Sequence, residues 1–401
     1  MTTAQRAGRY VRQPTGYRAF VPAPLPPNPS IQYSAGVLDA LSRADQAVGR
    51  LDGISRTIPN PDLFVAMFVR REAVLSSQIE GTQSTLDDVL SFELDRSGRD
   101  IPGDVVEVVN YVAAMNYGID RLATLPLSLR LIREIHSQLL DSVRGSEKQP
   151  GEFRKTQNWI GADGSPLSRA TFVPPPPFEM TEALHDFERF LVGEEGLPPL
   201  IHAGIAHAQF ETIHPFLDGN GRVGRLLISF LLVHRGVLHR PLLYLSHYLK
   251  RRKAEYYDSL MAVRNGGQWE EWLVFFLEGV AATASEATVT AGNILALRSA
   301  HTEIAAGRGF GADSPRLIDL LLRSPLVNVN FVKDRLGVAY LTAAKLIGRF
   351  EAAGLVEEIT GRKRNRIFRY TSYLDLFEEQ EPSEAPAATQ TTESWGIDED
   401  A

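Results

Sequence analysis

Apolar residues recur at helical spacing along most of this chain. Leu38, Leu41, Val48 and Leu51 share one face of a helix that Ser34 can cap. Asn60-Pro61 supplies a cap followed by proline in the first turn. Phe64, Met67, Phe68, Val74 and Leu75 carry that second helix to a stop at Gly81. The same periodicity predicts helices over 102–122, 127–143, 181–191, 200–212, 222–235, 253–264 and 269–298. The one over 222–235 is apolar nearly all round, which marks it as a buried central helix. One stretch reads differently: 155–161 looks like a strand entering a tight turn at Asp163-Gly164, hence a small β-hairpin, and the four prolines at 174–177 form a stiff exit.

The two ends differ from this helical body. Five prolines between Pro22 and Pro29 predict an extended lead-in over 1–33. Near Asp313 a second unit begins, with helices from Ser314-Pro315, over 331–336 and over 341–353. Alternating strands at 355–359 and 366–370 follow around a turn at 361–365, which is the winged-helix order. The division expected is therefore a lead-in (1–33), an N-terminal helical region (34–110), a main helical domain (111–300), a winged helix (313–374) and a disordered acidic tail (378–401).

Composition narrows the function. Hydrophobic residues at 44% and charged residues at 23% give an ordinary globular balance, so a chain disordered throughout is excluded. The absence of cysteine removes disulfides, thiolate nucleophiles and every cysteine-containing metal site. Taking the eight acidic residues of 378–401 out of the net charge of −7 leaves the body at +1, so no global field draws the protein to nucleic acid. The first ten residues lack an apolar segment, and the most apolar run, 226–233, is far below the ~18–20 residues of a membrane span. A soluble, cytoplasmic protein with no membrane partner is expected.

The chemistry concentrates between His214 and Arg225 (HPFLDGNGRVGR). Gly219-Asn220-Gly221 lets backbone N–H groups converge just ahead of a helix N-terminus, an anion nest suited to phosphate. Arg222 and Arg225, three apart, leave one helix face and can clamp successive phosphates. Asp218 is a hard oxygen ligand suited to Mg²⁺ held partly by a nucleotide. His214, across the loop, can take a proton from an incoming hydroxyl. Together these describe phosphoryl or nucleotidyl transfer.

This segment resembles the signature of the Fic family, and every fixed position of that signature is present. The resemblance implies a mainly α fold: a Fic-type helical bundle with a β-hairpin flap, here followed by the winged helix. The activity it implies is transfer of AMP from ATP to a protein Ser, Thr or Tyr hydroxyl, self-modification included. His214 would be the general base and Asp218 the Mg²⁺ ligand. Asn220 and the backbone around it would bind the α-phosphate, and Arg222 and Arg225 the distal phosphates. Phe216, Gly219, Gly221, Val223 and Gly224 complete the ATP-binding stretch. The run from Ser76 to Gly81 (SSQIEG) resembles the family's inhibitory motif, with Glu80 pairing with Arg225 and so blocking productive ATP binding. A carboxylate at a helix C-terminus wants a cationic partner in any case. Thr156, Gln157, Asn158, Trp159, Ile160 and Gly161 resemble the flap that pairs with the target's backbone. The tyrosines at 244–248, with Tyr256 and Tyr257, resemble the lining of the adenine and ribose site. The resemblance covers residues 34–298.

Plainer readings stand beside these. Tyr256 and Tyr257 also read as packing aromatics, Glu80 as a solvated helix-end carboxylate, and His214 as a structural histidine. His202 and His207, five apart, point ~140° from each other on a helix, so they read as packing residues and not a metal pair. Arg362, Lys363, Arg364 and Arg366 form a basic wing. The unit can meet DNA phosphates, bind protein or join a homodimer, and its fold leaves these uses open. On the same scaffold the alternatives are removal of AMP from a modified target, a nucleotide-sensing DNA-binding regulator, and an interaction protein with a dead pocket.

Overall fold

The computed structural model describes residues 5–57, 61–94, 102–141, 143, 147–161, 164, 166–193 and 196–377. Asn60, Asp163 and the tail 378–401, which carry three of the expectations above, lie outside this set. The chain opens with β1 (Gly8–Arg12) and β2 (Arg18–Pro22), then α1 (Ala35–Thr57), α2 (Pro61–Ile79) and α3 (Leu86–Leu94). Next come α4 (Gly103–Leu122), α5 (Leu129–Leu139), α6 (Pro177–Val192), α7 (Pro199–Ile213) and α8 (Asn220–His234). α9 (Ser246–Arg251), α10 (Lys253–Gly266) and α11 (Trp269–Gly307) complete the main body.

Local chemistry accounts for many of these ends. Ser128 caps α5 by accepting from Leu131 N–H, and α6 and α7 each begin with proline in the first turn. Gly81 takes φ +102° just past α2, the left-handed conformation that stops a helix there. The predicted helices are all found with shifted ends. α3 and α9 are additional short helices.

Two expectations need correction. The N-terminal lead-in contains a β-hairpin, with Tyr10 opposite Phe20, and β2 reaches the body through Phe20 N–H to the Val173 carbonyl at 2.8 Å. Among the described residues the flap pairs through one isolated antiparallel bridge, Ile160 to Phe172, less than the hairpin of strands expected. The prolines at 174–177 lack N–H donors, so the ladder cannot extend along that side.

α7 is the centre of the core. Every residue from Leu200 to Ile213 is buried, and α6, α8 and α11 pack around it. α8 is buried as its apolar pattern predicts. The most extensive helix pairing of the fold is that of α11 with α1. By length and hydropathy α11 passes for a membrane-crossing helix, but 56% of its most apolar window is buried inside the fold. Close approach is specific at Gly118 of α4, where a Cβ would fall 2.3 Å from the Phe230 ring of α8. Gly118→Ala should therefore lower stability by about 1–3 kcal/mol in urea unfolding; an unchanged midpoint would mean that the α4–α8 contact is loose.

The C-terminal unit runs α12 (Ser314–Arg323), β3 (Leu326–Val327), α13 (Val329–Leu336), α14 (Tyr340–Ala352), β4 (Glu357–Glu358), β5 (Phe368–Arg369) and α15 (Thr371–Leu374). Its sheet has the order β3-β5-β4, all antiparallel, with Val327 and Glu358 both opposite Phe368. The expected strand pair is present but shorter, and β3 adds a third strand.

Candidate active site

α7 ends at His214, which adopts the left-handed conformation (φ 49°, ψ 60°). A non-glycine residue held there needs support, and two buried arginines supply it. Arg264 donates to the Glu211 carbonyl at 3.0 Å and to Thr212 Oγ1 at 3.1 Å. Arg154 donates to the His214 carbonyl at 3.0 Å, to Ile213 O at 3.4 Å and to Pro175 O at 2.5 Å. Both guanidiniums thus cap the carbonyl end of α7, where positive charge is favoured. Burial, and after it the charges of Arg264 and Arg154, push the His214 imidazole down to about 3, so it is neutral at physiological pH. The residue as a whole is partly exposed, while its Nδ1 is buried.

The loop beyond His214 is held shut by Asn220. Its Oδ1 accepts from Phe216 N–H and its Nδ2 donates to Phe216 O, each at 2.8 Å. Asn158 Nδ2 adds a bond to Phe216 O at 2.8 Å and one to His214 O at 3.3 Å, so the flap segment is tied to the loop. Because both ends of the Asn220 amide are engaged, what it offers a phosphate is its backbone N–H. With Gly221 and Arg222 it forms the first turn of α8, whose N–H groups lack intrahelical partners. Gly219 (φ 76°) makes the turn, and its N–H reaches Asp218 Oδ1 at 2.6 Å. Asp218 keeps a partly exposed carboxylate.

The two signature arginines differ. Arg222 is buried and pairs with buried Glu107 of α4 at 2.9 Å, with Asp218 at 3.6 Å on its other side. Its guanidinium is engaged by these two carboxylates, and its charge still reaches Glu80. Glu107→Ala would strip a buried guanidinium of its buried partner, leaving only the longer contact to Asp218, and should cost about 3–5 kcal/mol in chemical denaturation. A loss below 1 kcal/mol would contradict this placement. Arg225 faces α2: Nε donates to Ser76 Oγ at 2.8 Å, and Nη2 donates to Ser76 O at 3.0 Å and Glu80 Oε1 at 2.6 Å. A Cβ on Gly221 would lie 2.3 Å from Glu80 Oε1. The Glu80 carboxylate therefore rests on the first turn of α8 as well as on Arg225. Burial works to raise its pKa, but Arg225, helped by Arg222, holds it below the usual carboxylate range.

The structure separates residues that line this cleft from residues that support it. The side chains of Phe216, Val223 and Tyr256 are fully buried and pack in the core beneath it. Phe216 stacks on His136 with centroids 3.7 Å apart, and Tyr256 Oη lies 2.8 Å from His207 Nε2. Tyr257 is 40% exposed beside them. Gly224 is required by α7, because a Cβ there would lie 2.3 Å from Glu211 Oε1. His202 and His207 are packing residues as expected, with His202 Nε2 on Phe190 O at 2.9 Å. Trp159 is half exposed, and Gln157 Oε1 accepts from Tyr17 Oη of the N-terminal hairpin at 3.2 Å.

Several residues that shape the site escaped the sequence reading: Glu107, Arg154, Arg264, His136 and Glu211. The available signal was a charged residue inside an apolar run, as with Glu107 in VVEVV and Glu211 in α7. Burial pushes Glu211 up to about 7 against the relief of Arg225.

Known proteins place this arrangement. Sequence profiles described as Fic/DOC family N-terminal, Fic/DOC family and HTH DNA binding domain match residues 38–120, 126–232 and 314–368. The chain belongs to the Fic/DOC family, with an N-terminal Fic region and a C-terminal helix-turn-helix region. It is 32% identical over 194 residues to the protein adenylyltransferase Fic of Drosophila grimshawi, covering 47% of this chain and 36% of that one. The Drosophila melanogaster protein of the same name is 31% identical over 163 residues, covering 40% and 30%. The chain thus spans about a third of the length of these relatives. A crystal structure of a Fic family protein from Desulfovibrio desulfuricans G20 superposes with a TM-score of 0.54 at 19% identity, over 85% of this chain and 97% of that one, and so shares the fold.

Proposed function

We propose that this protein is a Mg²⁺-dependent protein adenylyltransferase, able to modify itself, and that Glu80 holds it inhibited. The carrying observation is the loop from His214 to Arg225: a neutral histidine, a backbone nest, an open carboxylate and an arginine on consecutive turns. ATP binds with its α-phosphate over the first turn of α8 and its distal phosphates toward Arg225. A target Ser, Thr or Tyr hydroxyl gives its proton to His214 while its oxygen bonds to the α-phosphorus. The bond to the β-phosphate oxygen breaks, and pyrophosphate leaves. The chain's contribution is orientation and neutralisation of charge.

Asp218 fits Mg²⁺. Its carboxylate is accessible, and among the described residues no three acidic or histidine side chains converge to cage a metal. That is the donor set of an ion held by one carboxylate and the substrate's phosphates. The bound ion would supply charge neutralisation on those phosphates. Glu80 occupies the anion position on α8 and Arg225, so ATP and the Glu80 carboxylate compete for the same groups.

The test is label transfer with the Glu80→Gly variant and Mg²⁺. Label at the α-phosphate should enter protein and label at the γ-phosphate should not. Entry of γ-label would replace this reading with phosphoryl transfer. The neutrality of His214 gives a second expectation. Its acid limb should lie well below the value of about 6.5 for free imidazole, because burial and the charges of Arg264 and Arg154 disfavour the imidazolium and push it down to about 3. Arg264→Met removes a neighbouring positive charge, makes protonation easier, and should move that limb upward. An unmoved limb would show that the base is a different group.

A further inference from the structure

The helices on either side of Glu80 are gripped by the C-terminal unit. α12 lies along α2. Arg70 of α2 pairs with Glu93 of α3 at 2.7 Å and donates to the Arg323 carbonyl at the end of α12 at 3.3 Å. Phe68 of α2 meets Phe377 edge-on, with centroids 5.4 Å apart. Arg369 of β5 pairs with Asp87 of α3 at 2.5 Å. So α2, Glu80 and α3 are held on one side by Arg225 and on another by this unit.

That unit also carries a basic groove. Arg362, Lys363 and Arg364 are exposed, while Arg366 pairs with Glu351. With Asn330 and Tyr340 they line a groove of about 600 Å³ that Leu94, the last residue of α3, also lines. On the other side of Leu94 a smaller cleft of about 210 Å³ contains Arg70, Glu93, Arg323 and Arg335. A track of guanidiniums thus runs from the wing to the helix that carries Glu80. Its charge suits a phosphate backbone, and the helix-turn-helix order suits a duplex.

We propose that duplex DNA seated on this track is the signal that moves Glu80 off Arg225, an inference that rests on Glu80 being the lock described above. α3 is fastened by two carboxylates, Asp87 and Glu93, to Arg369 and Arg70. DNA phosphates on the track compete for Arg70 and repel Glu93, which leaves α3 held by Asp87 alone and loosens it and, through it, the end of α2. Coupling between two binding sites is reciprocal, so whatever DNA does for ATP affinity, ATP does for DNA affinity.

The experiment measures MgATP affinity of the full chain at low salt, with and without a mixed-sequence duplex. Wild type should gain at least about five-fold with DNA. Glu80→Gly should show no further gain, and a variant carrying Arg362→Ala, Lys363→Ala and Arg364→Ala should lose the gain but keep the DNA-free affinity. Asp87→Asn should raise ATP affinity without DNA. Absence of duplex binding, binding that leaves wild-type ATP affinity unchanged, or an equal gain in Glu80→Gly would overturn the inference. The lock itself is read in the DNA-free arm: if Glu80→Gly binds ATP no better than wild type, that reading fails first.

Discussion

Glu80→Gly should bind ATP roughly 10- to 100-fold more tightly than the wild-type chain and modify itself correspondingly faster. The magnitude follows from the bond that ATP must break. Charge-assisted hydrogen bonds contribute about 1.5–3 kcal/mol, equivalent to factors of roughly 10 to 150, and the lower part of that range applies to a carboxylate that keeps 32% side-chain exposure. Glycine also fits locally, since the residue sits at the helix end just before Gly81 with its positive φ. Arg225 stays anchored in the variant by Ser76 Oγ and Ser76 O, so its guanidinium remains in place for phosphate. Isothermal titration with MgATP measures the effect. Equal affinities would mean that Glu80 and the nucleotide do not compete.

His214→Ala, made in the Glu80→Gly background, should leave ATP affinity nearly unchanged while slowing transfer by about 10²–10⁴, the usual contribution of a positioned general base. The separation of binding from rate is the diagnostic part. The nest, Arg225 and Asp218 owe nothing to the imidazole, because Asn220 and Asn158 hold the loop through backbone atoms of Phe216 and His214. Those backbone bonds survive truncation of the ring. A loss of ATP binding instead would make His214 a structural residue.

What could be read in the sequence was what is local along the chain. Helices such as α1 and α2 announce themselves through apolar spacing, and the signature from His214 to Arg225 occupies twelve consecutive residues. The Glu80–Arg225 pair was reachable despite its separation because each member sits in a short recognisable motif. α3 was legible but unread: Thr85 and Asp88 cap each other reciprocally, Thr85 N–H to Asp88 Oδ2 at 2.8 Å and Asp88 N–H to Thr85 Oγ1 at 3.2 Å.

The unread remainder depends on contacts between distant segments. Glu107 and Arg222 meet only because α4 crosses α8, and nothing near either residue announces the other. Arg154 and Arg264 approach the end of α7 from opposite directions in sequence. The flap pairs through a single bridge among the described residues for a similar reason: Asn158 bonds to the carbonyls of His214 and Phe216 instead. Phe216 and Tyr256 show why aromatic residues in a site motif are ambiguous: they suit either a ligand or a core, and here they pack against His136 and His207.

The most direct test of the account is intact-mass spectrometry after incubation with Mg²⁺ and ATP, comparing wild type, Glu80→Gly and Glu80→Gly/His214→Ala. Self-modification needs no knowledge of the target. An AMP-sized increment that grows in Glu80→Gly, and in neither of the others, is the predicted result. No increment in Glu80→Gly although ATP is bound, or an increment that persists without His214, would contradict an adenylyltransferase held off by Glu80.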